Sequence, residues 1–189
     1  MSKMPRNQFR AGLESGEPQF GSWLGIPDPT AAEIMAGAGF DWLLVDHEHG
    51  AFELSDILAH LRALAAYDVA PLVRPVSGDP ALLKKLCDIG AQSFVVPMID
   101  TAEQAAQVVS AVKYPPEGIR GMGTSLARAA RWNSISGYAD KANDEMCVVV
   151  QAETVTAIEN LEAIAATPGI DGVFIGPSDL SASMGHVGN

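Results

Sequence analysis

Hydrophobic and polar positions follow two different periods along this chain. Short runs of consecutive apolar residues, many of them β-branched, are typical of buried parallel strands. Longer stretches in which apolar residues recur every three or four positions are typical of amphipathic helices. The pattern predicts six strands, at residues 20–26, 41–46, 70–73, 94–98, 146–151 and 172–175.

Helical stretches lie between most of these strands, and several carry recognisable start signals. Asp28-Pro29 and Asp79-Pro80 each combine an N-cap residue with proline at the first helical position. Thr101 and Gln104 have the spacing of a capping box. We predict helices at residues 29–38, 54–65, 80–89, 102–112 and 155–166.

Residues 114–143 interrupt this alternation. The segment opens with Pro115-Pro116 and continues with Gly118, Gly121 and Gly123. A long connection of this kind is often functional or makes subunit contacts. We predict a loop with a short helix near its end.

Six strand–helix units in regular order predict an α/β fold with a parallel sheet and right-handed crossovers. A doubly wound sheet and a TIM (β/α)8 barrel both satisfy this order. The first strand is not followed by the GxGxxG fingerprint of dinucleotide-binding sheets, and no P-loop occurs. Because a closed barrel needs eight units, residues 1–189 are expected to form one domain that covers about the first six.

Composition narrows the classes of function. The chain is 48% apolar and carries a formal net charge of -11. An acidic surface repels phosphate backbones and anionic lipid, which argues against nucleic-acid and membrane partners. Its first ten residues lack the apolar core of a signal peptide, and no apolar run reaches the length of a membrane span. With two cysteines and no CxxC spacing, we expect a cytoplasmic protein.

Polar residues follow the predicted strands repeatedly. In parallel α/β folds the reactive side chains lie at the carboxyl ends of strands, and a structural protein has little reason to place several charges there. The residues at these positions are Asp46, His47, Glu48 and His49 after the second strand, Arg74 after the third, Gln151 and Glu153 after the fifth, and Ser178 and Asp179 after the sixth.

Two of these carboxylates, Glu153 and Asp179, are separated by about one strand–helix unit, so they can be neighbours in space. Two carboxylates with water and substrate oxygens suit Mg²⁺, and Mn²⁺ or Co²⁺ would also bind. The alternative is that Glu153 merely begins a helix, where negative charge is favourable, and that Asp179 is an N-cap.

Asp46 and His49 form a candidate general-base pair, because a carboxylate bonded to imidazole fixes its tautomer and raises its basicity. The alternative is a solvated turn. Arg74 could bind a substrate carboxylate or stabilise an enolate oxygen, or instead form an ion pair with Glu48 or Glu153. No lysine ends a strand, which disfavours a Schiff-base mechanism.

Seven stretches of the chain have a recognisable combination of residues. They are FDWLLVDHEHG at 40–50, LVRP at 72–75, FVVPMIDTAEQA at 94–105, YPPEGIRGMG at 114–123, ARAARWN at 127–133, ANDEMCVVVQAET at 142–154 and GVFIGPSDLSASMG at 172–185. Taken together, they resemble the HpcH/HpaI aldolase family of class II pyruvate aldolases, and most closely its 4-hydroxy-2-oxoheptane-1,7-dioate aldolase branch. The resemblance covers nearly the whole chain from Phe20 onward.

The resemblance implies a TIM barrel that cleaves or forms 4-hydroxy-2-oxo acids, with pyruvate or hydroxypyruvate as one product and an aldehyde as the other, in the catabolism of aromatic compounds. It also implies a hexamer built as a trimer of dimers. The residues it assigns are Glu153 and Asp179 as metal ligands, Asp46 and His49 as the base dyad, Arg74 on the pyruvyl oxygens, the backbone N–H near Ser178 on the carboxylate, and Gln151 and Trp23 as pocket lining.

Two other functions remain open on the sequence alone. A citrate-lyase-like enzyme acting on acyl-CoA esters would need a basic groove for the CoA phosphates, and Arg120, Arg128 and Arg131 are the candidates for it. A barrel that binds a small acid without catalysis would bind metal but release no pyruvate.

Overall fold

The computed structural model describes residues 3–187, and within them six strands form one parallel sheet. Each strand pairs with the next one along the chain, from β1 to β6. A doubly wound sheet would reverse its order at a switch point, so this order confirms a (β/α)-barrel arrangement. The strands are β1 (Gly21–Leu24), β2 (Trp42–Asp46), β3 (Ala70–Arg74), β4 (Ser93–Val96), β5 (Cys147–Ala152) and β6 (Gly172–Ile175).

The sheet curls into an incomplete barrel. Trp23 on β1 and Phe174 on β6 belong to the two outermost strands, yet their ring centroids lie 5.8 Å apart. Trp23 also meets Trp42 edge-on at 5.5 Å. These aromatic contacts fill the interior between the ends of the sheet.

Side chains alternate between the two faces of each strand, as the period of two requires. The outward face packs against the helices, and Leu43, Val73 and Phe94 are completely buried there. The inward face builds a second apolar cluster inside the barrel, with Leu44, Leu72, Val95 and Val149 among its members and Phe174 packed against it. Two residues further along β2, β3 and β5, the same inward face becomes polar.

The helices flank the sheet and agree in large part with the sequence pattern. Asp28, Asp79 and Thr101 act as N-caps with side-chain bonds to backbone N–H groups. The α-helices of the described residues are α1 (Gln8–Ser15), α2 (Pro29–Ala36), α3 (Leu54–Leu64), α4 (Pro80–Ile89), α5 (Ala102–Val112), α6 (Tyr138–Ala142), α7 (Val155–Glu159), α8 (Leu161–Ala165) and α9 (Pro177–Ser183). None of them is both long enough and apolar enough to cross a membrane.

Two helices were not predicted, and one predicted helix is divided. The predicted helix at residues 155–166 is broken into α7 and α8 at Asn160, whose side chain donates a hydrogen bond to the carbonyl of Asp100. Helix α9 occupies the region expected to be a loop after β6. Helix α1 was missed because it is short and buries only Phe9.

Helix α1 covers the amino-terminal end of the barrel. Asn7 caps it and donates through Nδ2 to the carbonyl of Glu145, at 2.9 Å. Phe9 reaches into the barrel and meets the ring of Trp42 at 6.2 Å. With this end covered, polar side chains have access to solvent from the carboxyl end.

The irregular segment at residues 114–143 is anchored to the helices by a buried arginine. Arg120 is only 1% exposed, lies 4.3 Å from the centre of the Tyr114 ring and donates a hydrogen bond to Asp88. The segment ends in α6, which confirms the predicted short helix. Arg120 therefore holds this long connection in place by ion-pair and cation–π contacts.

Gly21 provides a test of the barrel interior. A Cβ atom at this position would lie 1.9 Å from the Trp42 side chain. We expect Gly21→Ala to lower the free energy of unfolding by about 1–3 kcal/mol, because Trp42 must leave its packed position. Urea denaturation measures the change.

Gly25→Ala is the matched control, since a Cβ at Gly25 meets nothing within 4 Å. It should change the free energy of unfolding by no more than about 0.5 kcal/mol. Equal stability of the two variants would contradict the packing of Trp42 against β1.

Candidate active site

The inward-facing residues at the carboxyl ends of β2 and β3 form an ion pair. Asp46 and Arg74 are direct partners in the register of these strands. Arg74 donates from Nε to Asp46 Oδ1 at 2.8 Å and from Nη2 to Oδ2 at 2.6 Å. This two-point contact is the strong geometry for a guanidinium and a carboxylate.

The ion pair perturbs the acid. Burial acts to raise the pKa of the Asp46 carboxyl, but hydrogen bonds from Arg74 and from the backbone N–H of His49 outweigh it and hold this pKa below its ordinary value. Asp46 is therefore an anion at neutral pH. Both oxygens of this anion accept hydrogen bonds from Arg74 and hold its guanidinium in place.

A second acid shares the same guanidinium. Glu48 Oε2 lies 3.3 Å from Arg74 Nε. Burial raises the pKa of Glu48 although Arg74 acts in the opposite direction. The ion pair between Arg74 and Glu48, which the sequence left as an alternative to substrate binding, is thus present.

The expected hydrogen bond between the Asp46 carboxylate and the His49 imidazole is not present, and this corrects the predicted contact. Asp46 Oδ1 accepts instead from the backbone N–H groups of Glu48 and His49, at 3.2 and 3.3 Å. The His49 side chain is 65% exposed, and its Nε2 lies 3.9 Å from Glu48 Oε2. The guanidinium supplied by the neighbouring strand binds both Asp46 oxygens, so the backbone alone links Asp46 to His49.

Glu153 is a buried carboxylate just beyond the end of β5. The residue is 3% exposed. Its Oε1 accepts from the backbone N–H of Met98 at 2.8 Å, and its Oε2 accepts from Gln151 Nε2 at 2.7 Å. The oxygen of Gln151 faces Arg74 Nη1 at 3.5 Å. One hydrogen-bonded chain thus runs from Asp46 to Glu153.

The surroundings of the Glu153 carboxylate are suited to a bound cation. No ion pair to this carboxylate occurs among residues 3–187. A buried carboxylate without a positive partner is costly, and each of its oxygens keeps a lone pair after accepting one hydrogen bond. A hard cation with oxygen ligands would complete this environment.

Gly176 has no side chain, and this makes room for the Glu153 carboxylate. It follows β6, and its backbone N–H donates to Ala152 O at 3.3 Å. A Cβ on Gly176 would lie 2.4 Å from Glu153 Oε2. The sequence pattern did not reveal this role, nor that of Met98, which has a positive φ of 56° and donates its N–H to the acid. A glycine directly after a strand was the available signal for Gly176, whereas nothing in the sequence pointed to Met98.

The remaining predicted site residues lie on adjoining elements. Ser178 and Asp179 are exposed in the first turn of α9, and the N-cap of that helix is Gly176 rather than Asp179. Trp23 pairs with Leu44 in the strand register, so its backbone lies one layer below Asp46. No cluster of three or more metal-binding side chains occurs within the described range. A cation held by Glu153 and Asp179 would therefore need water or substrate oxygens as its other ligands.

The arginines considered for a CoA groove do not belong to this end of the barrel. Arg120 is buried under Tyr114. Arg128 donates to the carbonyls of Leu61 and Ile89, in the last turns of α3 and α4. Arg131 borders a cavity with Ala70 and Ser93, at the amino-terminal ends of β3 and β4, so within residues 3–187 none of the three candidate arginines forms a basic groove beside Glu153.

The fold and these carboxyl-end residues define a parallel (β/α)-barrel protein with an acidic, arginine-containing site at its open end. A family profile described as HpcH/HpaI aldolase/citrate lyase matches residues 19–189. The chain belongs to this family, as the sequence resemblance predicted.

Individual relatives agree with this placement. A hydroxypyruvate/pyruvate aldolase from Deinococcus radiodurans is 58% identical over 181 residues, which are 96% of this chain and 65% of the relative. A 4-hydroxy-2-oxo-heptane-1,7-dioate aldolase from Escherichia coli is 52% identical over 97% of this chain and 70% of its own length. The chain thus spans about two thirds of the length of these relatives.

The fold also matches a solved structure. An HpcH/HpaI aldolase/citrate lyase family protein from Burkholderia cenocepacia superposes with a TM-score of 0.93 at 38% identity, covering 97% of this chain and 74% of the other. The curled six-stranded sheet therefore corresponds to the larger part of a family barrel.

The Asp46–Arg74 pair makes a prediction about pH. Because the pKa of Asp46 is lowered by folding, its contribution to stability is present above the unfolded-state value of about 3.9 and is lost as the pH falls through the lowered pKa. We expect Asp46→Asn to cost roughly 1.5–3 kcal/mol at pH 7. This cost should begin to shrink below about pH 4, where the unfolded chain takes up the proton, and shrink further as the pH falls through the lowered pKa of the folded carboxyl.

Urea denaturation at pH 7 and pH 3.5 measures the difference. Asp68→Asn is the control, because Asp68 is exposed and its side chain has no ion pair or hydrogen bond to the described residues. A cost for Asp46→Asn that is the same at both pH values would contradict the ion pair.

Proposed function

We propose that the protein containing this chain is a divalent-metal-dependent class II aldolase. It cleaves or forms 4-hydroxy-2-oxo acids, with pyruvate or hydroxypyruvate as the enolate half and an aldehyde as the other half. The observation that carries the proposal is the buried carboxylate of Glu153 at the carboxyl end of the barrel, which accepts two hydrogen bonds but has no lysine or arginine partner within residues 3–187. The names of the relatives, at 52 and 58% identity, support the same reaction.

Charge supports a metal in this site. Asp46, Glu48 and Glu153 supply three carboxylates around the single guanidinium of Arg74, which leaves two net negative charges when all are ionised. A 2-oxo acid is itself an anion and would be repelled by this excess. Glu153 and Asp179 would hold Mg²⁺, Mn²⁺ or Co²⁺, which supplies Lewis-acid stabilisation of the enolate charge when bound.

Arg74 and Gln151 orient the 2-oxo acid. Asp46 and Glu48 fix the guanidinium, so its direction does not depend on the substrate. Its Nη1 faces Gln151 and offers N–H donors to the keto oxygen. A preorganised donor of this kind stabilises the negative charge that develops on the enolate oxygen. Ser178 lies in the first turn of α9, where backbone N–H groups can bind the substrate carboxylate.

His49 acts as the general base at the mouth of the site. In the cleavage direction its imidazole accepts the proton of the C4 hydroxyl, the C4–O bond becomes a carbonyl, and the C3–C4 bond breaks. The bonding pair goes to the pyruvate enolate, the aldehyde leaves, and the enolate takes the proton back from the His49 imidazolium at C3. Glu48, 3.9 Å from His49 Nε2, stabilises the resulting imidazolium.

The proposal extends to the assembly and location of the whole protein. Residues 1–189 form part of a single barrel domain in a cytoplasmic homo-oligomer, a hexamer built as a trimer of dimers, that acts in aromatic compound catabolism. Exposed apolar side chains on the 114–133 loop support self-association. They are Ile119, Met122, Leu126 and Trp132.

The activity is tested by coupling pyruvate release to lactate dehydrogenase, with a 4-hydroxy-2-oxo acid as substrate and full-length protein. Activity should require added Mg²⁺, Mn²⁺ or Co²⁺ and disappear in EDTA. Glu153→Ala and Asp179→Ala should abolish the metal-dependent turnover, whereas the exposed Glu162→Ala on α8 should retain it. Full activity in EDTA would remove the metal from the scheme, and cleavage of a CoA thioester instead would favour the acyl-CoA lyase.

His49 has a separate test. Removing a general base costs typically 10²–10⁴-fold in rate, so we expect His49→Ala to lower kcat by about this factor while metal affinity stays unchanged. The exposed His186→Ala is the control, because that residue lies beyond α9. A kcat within a few-fold of wild type in His49→Ala would mean that another group accepts the proton.

A further inference from the structure

A second cavity lies at the opposite end of the barrel from Glu153. Its volume is about 240 Å³. It is lined by the first residues of β3 and β4, Ala70 and Ser93, and by the last turn of α3 at Leu61 and Leu64. These strands lie in the middle of the sheet, so the cavity does not arise from its open edges.

The lining of this cavity is unusual for a chain with a net charge of -11. Arg6, Arg128 and Arg131 border it, and no aspartate or glutamate does. Tyr67 adds a hydroxyl group, whereas the side chains of Asn7, Gln92 and Ser93 line the cavity but already hydrogen-bond within the protein. Three arginines without a lining carboxylate create a local positive potential on an acidic protein.

None of these arginines is neutralised by the part of the chain that the structure describes. The ion pairs within residues 3–187 involve other cations, and neither Arg6, Arg128 nor Arg131 lies within ion-pair distance of an acid. Burial, followed by repulsion from Arg131 and Arg62, lowers the pKa of Arg128 to about 10. Arg128 is still protonated at neutral pH, and a bound anion would relieve this repulsion.

Arg128 also has a structural role that accounts for part of its charge. Its Nη1 donates to Ile89 O at 2.9 Å and its Nη2 to Leu61 O at 3.1 Å, so it binds carbonyls at the ends of α4 and α3. Helix C-termini repel anions, and the Arg128 guanidinium covers the C-termini of α3 and α4. The Arg131 side chain makes no comparable bond to residues 3–187, and Arg131 is the first of three consecutive residues with positive φ, from 48° to 65°. Such backbone is costly for residues other than glycine and is found at functional sites.

We propose that this cavity, bordered by Arg6, Arg128 and Arg131 at the amino-terminal end of the barrel, binds a small oxyanion-bearing metabolite, separately from the aldolase site. Carboxylate and phosphate groups are the anions whose geometry a guanidinium matches. Sites for drug-sized ligands occupy about 300–1,000 Å³, so the smaller cavity suits a compact phosphate or dicarboxylate. The proposal does not depend on the reaction at Glu153.

Isothermal titration of the full-length protein tests this site. Inorganic phosphate and succinate are the probes, each titrated at an ionic strength held constant with chloride. Wild-type protein should bind at least one of them, and the probe that binds identifies phosphate or dicarboxylate chemistry. Arg131→Gln should weaken that binding roughly tenfold or more, the effect of losing one charge-assisted contact.

Two further variants locate the binding. Lys141→Gln removes an equal charge from the exposed face of α6, outside the cavity lining, and should change the affinity by less than about twofold. Arg74→Gln should retain the binding, because Arg74 belongs to the carboxyl-end site. Circular dichroism identifies the variants that keep the native fold. The proposal is overturned if neither probe binds the wild-type protein, if Arg131→Gln binds as the wild type does, or if natively folded Arg74→Gln no longer binds.

Discussion

The guanidinium of Arg74 connects the charged and polar side chains of the carboxyl-end site. It binds both oxygens of Asp46, contacts Glu48 and faces Gln151, which in turn holds Glu153. The strands place these groups together because their carboxyl ends meet at one rim of a curled parallel sheet. Met98 after β4 and Gly176 after β6 complete the surroundings of Glu153, so five neighbouring strand ends contribute to one network.

This network is supported by packing and by hydrogen bonds, and its negative charges outnumber its positive charge. Its inward-facing side chains stand on a packed apolar layer, and backbone N–H groups donate to its carboxylates. Its charge imbalance comes from setting several acids around one arginine. A site of this kind favours a cation, and together with that cation it favours an anionic substrate, which is the combination that a metal-dependent aldolase requires. Stability and proposed chemistry therefore rest on the same electrostatic arrangement.

The sequence predicted the order of elements well, because buried parallel strands and capped helices leave local signals. The strand at residues 41–46 and the capping box at Thr101 are confirmed to within a residue. The division of the helix at Asn160 depends on a tertiary bond to Asp100, and no local pattern contains it. The same limit applies to the site. The residues at the strand ends could be identified from their positions in the sequence. The three-residue spacing at the end of β2 suggested that Asp46 binds His49. In the structure, the register between β2 and β3 places Asp46 beside Arg74, which binds it instead.

The proposed aldolase requires Glu153 and Asp179 to bind one divalent cation. Anomalous diffraction from crystals of the full-length protein soaked in Mn²⁺ tests it most directly, because the metal position is observed without reference to turnover. We expect one strong peak with oxygens of both carboxylates between about 2.0 and 2.6 Å away, as hard cations require. A peak bound elsewhere, or carboxylates of residues 153 and 179 that face away from each other with no metal between them, would contradict it.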